Sequence, residues 1–494
     1  MTPMSPEEAL AKIRPGKMLI DGQWADPLSG KTLQVINPAT NQAVATIADA
    51  GDEDVNRAVG SARKALSGPW AKMSGSERGR ILWRLSDLLM KNADEVGMLE
   101  TLHNGKPIFE SRQVDIPTSA DIIAYYAGWA SKVTGETLPS APNAFIYTVR
   151  EPVGVVAAIV PWNFPLLLAV WKLAPALACG NAVVLKPSKQ TPLTALRIGE
   201  LALEAGLPPG VLNVITGSGN GCGMALVKHP DVDKVSFTGE TSTGIGIMKA
   251  SADTLKRISL ELGGKSPNIV FADADLDAAA RGAITGIFYG KGEVCAAGSR
   301  LFVEASAYDA VLEKVAARAA KLQPADPLDP KCRMGALVSK EQTAKVMEYV
   351  EAGKGEGAKL VAGGSRGVVP ALPDGNFVQP TVFGEVTNNM RIAREEIFGP
   401  VLSVIRFTDV EDAVSQANAT PYGLAAAVWT RDVKKAHTVA RRIKAGTVWV
   451  NAYNLYDAAA PFGGYKRSGF GRELGSDALK QFTETKTVWV DLNP

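Results

Sequence analysis

The sequence KVSFTGETSTG at residues 234–244 decides the fold class. Lys234–Thr238 is a short run of strand-forming residues that passes at Gly239 into a turn of small residues, followed by a helical pattern. Glycines between a strand and a helix let backbone N–H groups approach a phosphate at the helix N-terminus. The spacing is G-x-T-x-x-G, which differs from the usual dinucleotide fingerprint, so the motif needs support from the rest of the chain.

The same succession of elements extends on both sides of this motif. Short apolar runs alternate with longer amphipathic segments, which predicts an α/β protein built from βαβ units and parallel sheets. The predicted strands are Val153–Val160, Ala182–Leu185, Val211–Ile215, Lys234–Thr238, Pro267–Phe271 and Arg300–Val303. The predicted helices are Pro192–Ala205, with Thr191 as N-cap and Gly206 after its end, and Leu276–Tyr289.

Two α/β blocks therefore meet near Leu262. Outside them, Phe145–Arg150 and Gln481–Val490 alternate between apolar and polar residues, which predicts two further strands. These strands would form a small separate sheet, suited to self-association.

Composition narrows the class of protein. The 494 residues suit two or three packed units, and 46% hydrophobic with 21% charged residues is typical of a globular chain. The 53 basic and 51 acidic residues nearly cancel, which argues against nucleic-acid and membrane-surface partners. The most apolar stretch, 154–180, contains Pro161, Asn163 and Lys172, so we expect a buried strand–turn–helix there and no membrane span.

The cysteines lie far apart, at Cys179, Cys222, Cys295 and Cys332. Their spacing fits neither a CxxC metal site nor a disulfide framework, and the chain has only three histidines, so we expect no metal site. Unpaired thiols predict a reducing compartment, the cytoplasm.

Cys295 stands in the sequence GEVCAAGSR at residues 292–300. A single cysteine is most often a small buried apolar residue. Here glycines and small residues on both sides leave room for a substrate, which favours a nucleophilic thiol.

Two other polar residues stand at strand ends. Glu261 closes a strand just before the pair Gly263 and Gly264, and Asn163 lies between Pro161 and Pro165. In isolation, such a glutamate usually faces solvent, and such an asparagine usually bonds turn backbone.

Together, these four motifs closely resemble those of the aldehyde dehydrogenase superfamily, in its NAD(P)+-dependent hydrolytic branch. The resemblance runs from residues 18–22 (MLIDG) to 485–488 (TKTV). It includes LKPS at 185–188, EEIFGP at 395–400 and PFGGYK at 461–466.

The resemblance implies the aldehyde dehydrogenase fold, with a Rossmann-like cofactor domain, an α/β catalytic domain and a small oligomerisation β-sheet. The implied boundaries are 1–130 and 152–261 for the cofactor-binding domain, 262–470 for the catalytic domain, and 131–151 with 471–494 for the oligomerisation domain. A homo-oligomer is expected, either a dimer or a homotetramer.

By the same resemblance, Cys295 is the nucleophile that attacks the aldehyde carbonyl and carries the thioester. The Asn163 side chain and the Cys295 backbone N–H form the oxyanion hole. Glu261 is the general base for the water that hydrolyses the thioester. The implied reaction oxidises a small-molecule aldehyde to the carboxylic acid with NAD(P)+.

For the cofactor, the resemblance places Lys186 on the adenosine ribose, Glu396 on the nicotinamide ribose and Phe398 beside the nicotinamide ring. The full implied set is Ile159, Trp162, Lys186, Ser188, Lys189, Gly219, Gly223, Phe237, Gly239, Thr241, Gly244, Glu396 and Phe398.

Two residues depart from the commonest family pattern. Lys189 stands where a glutamate usually contacts the adenosine ribose hydroxyls, and Glu240 stands where a serine is common. The first change adds positive charge and favours the extra phosphate of NADP+, whereas the second adds negative charge and opposes it. NAD is therefore the expected cofactor, with NADP as a second candidate.

The implied substrate tunnel is mostly aromatic, which indicates a hydrophobic aldehyde, aromatic or medium-chain aliphatic. Its lining is Phe164, Leu168, Trp171, Tyr289, Tyr456, Asp457 and Phe462. The run DAAAPF at 457–462 is similar to that of phenylacetaldehyde-type members.

Three alternatives stay open at this point. An aromatic box beside a carboxylate also suits a cationic aminoaldehyde, as in betaine-aldehyde-type members. A CoA-acylating semialdehyde dehydrogenase shares the fold and the cysteine, but typically lacks the glutamate found here at 261. A non-enzymatic descendant would be free to lose Cys295 or Glu261.

Overall fold

The chain folds around two large, mainly parallel sheets and two small antiparallel ones, of three and two strands. The structure is a computed structural model and describes residues 4–139 and 142–494. Residues 1–3 of the predicted cofactor-binding segment and residues 140–141 of the predicted oligomerisation segment lie outside the described residues.

In chain order the strands are β1 (Met18–Ile20), β2 (Gln23–Ala25), β3 (Thr32–Asn37), β4 (Gln42–Ala48), β5 (Thr137–Leu138), β6 (Ala144–Pro152), β7 (Val155–Ile159), β8 (Ala182–Lys186), β9 (Leu212–Val214), β10 (Lys234–Thr238), β11 (Arg257–Glu261), β12 (Pro267–Val270), β13 (Arg300–Glu304), β14 (Lys359–Ala362), β15 (Thr381–Gly384), β16 (Val401–Phe407), β17 (Ala425–Trp429), β18 (Thr447–Val450), β19 (Gly469–Phe470) and β20 (Thr483–Asp491).

The α-helices are α1 (Pro6–Leu10), α2 (Asp52–Ala65), α3 (Pro69–Lys72), α4 (Gly75–Lys91), α5 (Ala93–Asn104), α6 (Ile108–Glu110), α7 (Ile116–Trp129), α8 (Pro165–Ala178), α9 (Leu193–Glu204), α10 (Met224–Lys228), α11 (Thr241–Ser251), α12 (Leu276–Phe288), α13 (Tyr308–Lys321), α14 (Lys340–Gly355), α15 (Arg391–Arg394), α16 (Val410–Asn418), α17 (Val433–Arg442) and α18 (Asp477–Gln481).

The first sheet has the order β19-β11-β10-β7-β8-β9-β1-β2. The five strands from β11 to β9 are parallel to one another, and every residue of β7, β8 and β10 is buried. Burial on both faces explains why these strands appear in the sequence as continuous apolar runs. All four strands predicted for this block are confirmed, with Val153–Val160 shortened to β7.

The strand order of this sheet creates a crevice. From β7 the chain builds β8 and β9 on one side, then crosses back to build β10 and β11 on the other side. Ligands of open parallel sheets bind where the order reverses, at the carboxyl ends of the strands. Here that point lies between Pro161–Asn163, which follow β7, and Gly239–Thr241, which lead from β10 into α11.

Helix α9 confirms the predicted helix but not its predicted cap. Pro192 is the N-cap, with near-helical φ and ψ of −92° and −13°, so the prediction of Thr191 is wrong. The backbone N–H of Leu193 donates to Nδ1 of His103 at 3.2 Å. A ring from α5 therefore satisfies the amide that a threonine hydroxyl would otherwise bond.

The second sheet has the order β14-β15-β16-β13-β12-β17-β18 and is parallel except for β14. The chain leaves the first sheet at the end of β11 and enters the second at β12. The chain returns to the first sheet once more, at β19, which is antiparallel to β11.

The third sheet, in the order β20-β6-β5, is antiparallel. It contains both outlying strands predicted from the sequence, Phe145–Arg150 within β6 and Gln481–Val490 largely within β20. Its exposed residues include large apolar ones, since Trp489 is 69% exposed and Phe145 and Val490 are also exposed.

Candidate active site

The crevice at the end of the first sheet contains a cavity of about 160 Å³. It brings together six residues predicted from the sequence: Trp162, Asn163, Gly239, Cys295, Glu396 and Phe398. It is completed by Glu240, which the sequence marked as a departure from the family pattern, and by residues outside the predicted site: Pro161, Thr238, Leu262, Gly263, Gln342 and Lys345. Gln342 and Lys345 come from α14, and no motif in the sequence marks that helix.

Cys295 reaches the cavity through an unusual turn. After α12 the chain turns through three consecutive residues in left-handed conformation, Gly290, Lys291 and Gly292, with φ values of 56°, 63° and 73°. Such positive φ values favour glycine, and the backbone of Gly399 occupies the space that a Cβ at Gly292 would need. The turn leaves Cys295 partly exposed, whereas Cys179, Cys222 and Cys332 are buried.

The Cys295 thiol lies in a low-dielectric, negatively charged environment. Burial, together with the nearby Glu396 and Glu261 carboxylates, raises the pKa of this thiol to about 12. The thiol is therefore protonated at neutral pH before substrate arrives, and it must lose its proton during attack.

Asn163 is held firmly at the wall of the cavity. Its side chain is 5% exposed, and its Nδ2 donates to the backbone oxygen of Glu293 at 2.9 Å. Asn163 and Cys295 both line the cavity.

Glu261 is the last residue of β11 and is buried. Neither of its carboxylate oxygens has a hydrogen-bond partner in residues 4–139 and 142–494. Burial raises its pKa well above the usual range, and the negative charge of Glu473 raises it further, while Lys172 and Arg472 oppose the shift. Glu261 does not line the cavity, but its charge raises the pKa of the Cys295 thiol, and an unpartnered carboxyl of raised pKa suits a general base.

The groups that surround Glu261 were missed from the sequence. Lys172 of α8 is fully buried, pairs with Glu473 and donates to Thr238 Oγ1 at 2.7 Å. From the sequence, Lys172 counts only against a membrane span in the apolar stretch 154–180. The same anomaly is the signal that could have placed it in a buried polar network.

The glycine pair after Glu261 allows close approach of two functional segments. The Glu396 carboxylate occupies the space of a Cβ at Gly263, and a Cβ at Gly264 would lie 2.5 Å from the Cys295 carbonyl oxygen. The Gly264 N–H donates to Glu396 Oε1 at 2.9 Å, and burial raises the pKa of Glu396 to about 7. Both positions therefore require glycine, because a side chain at either one would prevent this close packing.

The groove beside the cavity fits a dinucleotide. The Trp162 and Phe398 rings meet edge to face with centroids 5.2 Å apart. The N-terminus of α11 can approach the groove closely, because a Cβ at Gly244 would lie 2.6 Å from Leu262. Thr241 is the first residue of that helix. Backbone N–H groups at a helix N-terminus suit a pyrophosphate.

Lys186, the last residue of β8, is buried at 4% exposure. Burial lowers the pKa of this ammonium, and so does the charge of Lys189. Gly223, in the π-helical turn Gly219–Gly223, lies against the Lys186 side chain, with a Cβ there 3.8 Å from Lys186 Cε.

The remaining predicted cofactor residues, Ile159, Ser188, Lys189 and Phe237, do not line the cavity. Ile159 is in register with Phe237 and with Lys186, and all three side chains are buried. The Ser188 hydroxyl bonds Gln190. Lys189 is exposed, and its positive charge helps to lower the pKa of Glu341 at the start of α14.

On the other side of Cys295, the predicted substrate residues form two aromatic groups. The Phe164 and Tyr289 rings stack with centroids 6.2 Å apart. Trp171, Tyr456 and Phe462 contact one another at 5.3 to 6.3 Å between centroids. Leu168 lies one turn before Trp171 on α8, so both side chains are on the same face of the helix.

Two further observations concern this aromatic side. Trp449 meets the Tyr456 ring edge to face at 5.8 Å and was missed from the sequence, because nothing near it resembles a motif. Asp457 is exposed, and its carboxylate accepts a hydrogen bond from the Ala459 N–H at 2.7 Å. Among the described residues, the Asp457 carboxylate thus has a hydrogen-bond partner only within its own turn.

The arrangement combines an accessible thiol, an amide donor, a buried carboxyl and a dinucleotide groove, and the comparisons agree with it. A model of the aldehyde dehydrogenase family matches residues 24–488. The chain belongs to the aldehyde dehydrogenase family. It is 48% identical over 484 residues to aldehyde dehydrogenase 1A1 of Gallus gallus, which covers 97% of this chain and 94% of that relative.

Two solved structures are similar over almost their whole length. The NAD+ complex of the aldehyde dehydrogenase from Bacillus cereus has a TM-score of 0.97, 47% identity and coverage of 99% of both chains. The P. syringae indole-3-acetaldehyde dehydrogenase, in complex with NAD+ and IAA, has a TM-score of 0.97, 47% identity and coverage of 100% of both chains.

These comparisons confirm the predicted family, the aldehyde dehydrogenase fold, the assignment as an enzyme and NAD as cofactor. In the part of the chain that the structure describes, no helix combines the length and apolarity needed to cross a bilayer. No group of three or more His, Cys, Asp or Glu side chains in that part is placed to hold a metal ion.

Proposed function

We propose that this chain oxidises hydrophobic aldehydes, aromatic ones in particular, to carboxylic acids with NAD+ through a thioester on Cys295. The observation that carries the proposal is the position of Cys295. It is the partly exposed cysteine of the chain, and it lies in a cavity beside Asn163, near the carboxyl of Glu261.

In the first step, Cys295 Sγ attacks the aldehyde carbon, and a C–S bond forms while the thiol proton leaves to water in the cavity. The carbonyl oxygen becomes an alkoxide, which the second N–H of Asn163 Nδ2 and the Cys295 backbone N–H stabilise. Donors that are held in place before charge develops stabilise it strongly. The bond from Asn163 to Glu293 supplies that preorganisation.

Bound NAD supplies the hydride acceptor that oxidises the attached aldehyde carbon to the thioester level. Lys186 would hold the adenosine ribose, the N-terminus of α11 would bind the pyrophosphate, and Glu396 with Phe398 would hold the nicotinamide end.

In the last step, Glu261 takes a proton from a water molecule, which attacks the thioester carbon. The C–S bond breaks, the acid leaves, and Cys295 regains a proton. The raised pKa of Glu261 makes its carboxylate a stronger base near neutral pH. A water nucleophile requires such a base, so Glu261 favours acid formation over transfer to CoA.

The aromatic groups favour a neutral, hydrophobic substrate. Trp171, Tyr456 and Phe462 form one apolar surface. The nearby carboxylate of Asp457 is exposed and bonds its own turn, so it offers a buried cation little support. The similarity to an indole-3-acetaldehyde dehydrogenase supports an aromatic aldehyde over an aminoaldehyde.

A panel of aldehydes tests this proposal. With NAD+, we expect kcat/KM for phenylacetaldehyde, indole-3-acetaldehyde and hexanal to exceed that for betaine aldehyde by about 10- to 100-fold. The reason is that each aromatic contact or buried methylene contributes about 1 kcal/mol. The free acid should form even when CoA is present. Preference for betaine aldehyde, or formation of an acyl-CoA, would contradict the substrate class or the hydrolytic step.

Lys189→Glu tests the cofactor side. A carboxylate at this position would repel the 2′-phosphate of NADP+ and accept hydrogen bonds from the 2′-hydroxyl of NAD+. The change of two charge units should shift the ratio of kcat/KM values toward NAD+ by about 5- to 150-fold. Because Lys189 is exposed, the shift should shrink at high salt.

Lys189→Gln is the matched neutral variant and should give an intermediate ratio. An unchanged ratio at low ionic strength would show that Lys189 does not face the adenosine ribose.

The proposal also includes assembly. The exposed apolar residues of the third sheet, Phe145, Trp489 and Val490, suit contact with a second copy of the chain. A dimer or tetramer, the domain boundaries near residues 131, 152, 262 and 471, and a cytoplasmic location stay predictions.

A further inference from the structure

The two donors of the proposed oxyanion site come from different parts of the chain. Asn163 follows β7, whereas Cys295 follows the turn at residues 289–292. Their relative position depends on whatever joins these two segments. One direct link is the hydrogen bond from Asn163 Nδ2 to the backbone oxygen of Glu293, at 2.9 Å.

A second link passes through Lys291. This lysine is 1% exposed and adopts a φ of 63°, a left-handed conformation unusual for a residue with a side chain. Its Nζ donates to both the backbone oxygen and Oδ1 of Asn104, at 2.9 and 2.8 Å. The same Nζ lies 2.8 Å from Glu293 Oε2.

Asn104 and Glu293 carry these contacts onward. Asn104 Nδ2 donates to the backbone oxygen of Trp162 at 2.7 Å, and Trp162 directly precedes Asn163. Glu293 Oε1 accepts from the Val338 N–H at 3.0 Å, just before the helix that brings Gln342 and Lys345 to the cavity. The contacts thus form a closed ring from Asn163 through residues 293, 291 and 104 back to Trp162.

We propose that Lys291 is a positioning residue for the oxyanion site. Its ammonium touches no reacting atom, since Lys291 does not line the cavity, and it acts by fixing the 290–295 turn against the Trp162–Asn163 segment. The inference rests on the function proposed above, because it concerns the donors that stabilise the alkoxide formed when Cys295 attacks the aldehyde. Small displacements of such donors slow reactions strongly.

Lys291→Met removes the ammonium and keeps an unbranched stem. We expect acylation of Cys295 to slow by about 10- to 100-fold, with KM for the aldehyde and affinity for NAD+ within about twofold. Acylation is measured as the NADH burst with an aldehyde and, without cofactor, as the burst of 4-nitrophenolate from 4-nitrophenyl acetate. The ester also develops an oxyanion during thiol attack, so both bursts should slow together.

Lys256→Met is the matched control. Lys256 is also buried, and its Nζ donates to the His229 backbone oxygen at 2.6 Å. It precedes β11 at the amino end of that strand, opposite the end that carries Glu261. Loss of this buried ammonium should leave both bursts at the wild-type rate.

A double-mutant cycle separates positioning from general destabilisation. Asn163→Ala should by itself slow acylation by about 10²- to 10³-fold, since it removes a donor. If Lys291 acts through Asn163, adding Lys291→Met to that variant should slow acylation by no more than about twofold. Wild-type acylation by Lys291→Met, or effects that multiply in the double variant, would overturn the proposal.

Removing one partner of a buried ion pair leaves the other charge uncompensated, so Lys291→Met can fail to fold. Lys291→Gln combined with Glu293→Gln leaves no such charge, and this pair should show the same slow, Asn163-dependent acylation. Full-speed acylation by the folded pair would overturn the proposal. If wild-type protein gives neither burst, the proposed thioester function fails instead, and the two failures are thereby distinguished.

Discussion

Cys295→Ser should lower kcat for aldehyde oxidation by about 10⁴-fold or more, while NAD+ affinity stays within about twofold of wild type. A hydroxyl has a much higher pKa than a thiol, and Glu261 and Glu396 would oppose an alkoxide even more than they oppose the thiolate. Steady-state turnover and a fluorescence titration with NAD+ measure the two quantities. The near-isosteric change should leave the fold and the groove intact.

Cys332→Ser is the matched control for this variant. Cys332 is buried, and its Sγ donates to the Met334 and Ala325 backbone oxygens at 3.3 and 3.6 Å, bonds that a serine hydroxyl can replace. It should retain wild-type turnover. Substantial activity of Cys295→Ser, or equal loss in both variants, would remove Cys295 from its proposed role.

The sequence predicted the α/β class and the central strands because the relevant signals are local. Strands such as β7, β8 and β10 are buried on both faces, so their apolar runs stand out without knowledge of their neighbours. The pair Gly263 and Gly264 is equally informative. Glu396 and Cys295 lie so close to its backbone that there is no room for a Cβ. The glycine pair in the sequence therefore indicates this close approach.

What the sequence did not reveal are the contacts between distant residues. Lys172 pairs with Glu473, which is 301 positions away, and Lys291 bonds Asn104, which is 187 positions away. The predicted N-cap of α9 was wrong for the same reason, because His103 accepts the hydrogen bond that Thr191 was expected to accept. A propensity describes one segment, whereas these bonds depend on which segments meet.

Glu261→Gln should separate the two halves of the reaction. The first equivalent of NADH should form at the wild-type rate or faster, because the Glu261 carboxylate raises the pKa of the Cys295 thiol and an amide does not. Thioester hydrolysis should slow by about 10²- to 10⁴-fold, since no base remains for the water. Stopped-flow absorbance of NADH resolves the burst from the later steady state, and wild-type hydrolysis in this variant would contradict the assignment.

The pH dependence of hydrolysis identifies the base more directly. Glu261 acts when deprotonated, so wild-type hydrolysis should rise with pH through a pKa well above the usual carboxyl range, because burial and Glu473 raise it. Glu473→Gln removes one of these causes and leaves the Lys172 charge uncompensated. Both changes favour the ionised Glu261, so the inflection should move to lower pH while its amplitude remains. Glu261→Gln should abolish the inflection. An inflection that survives in Glu261→Gln would assign the base to another group.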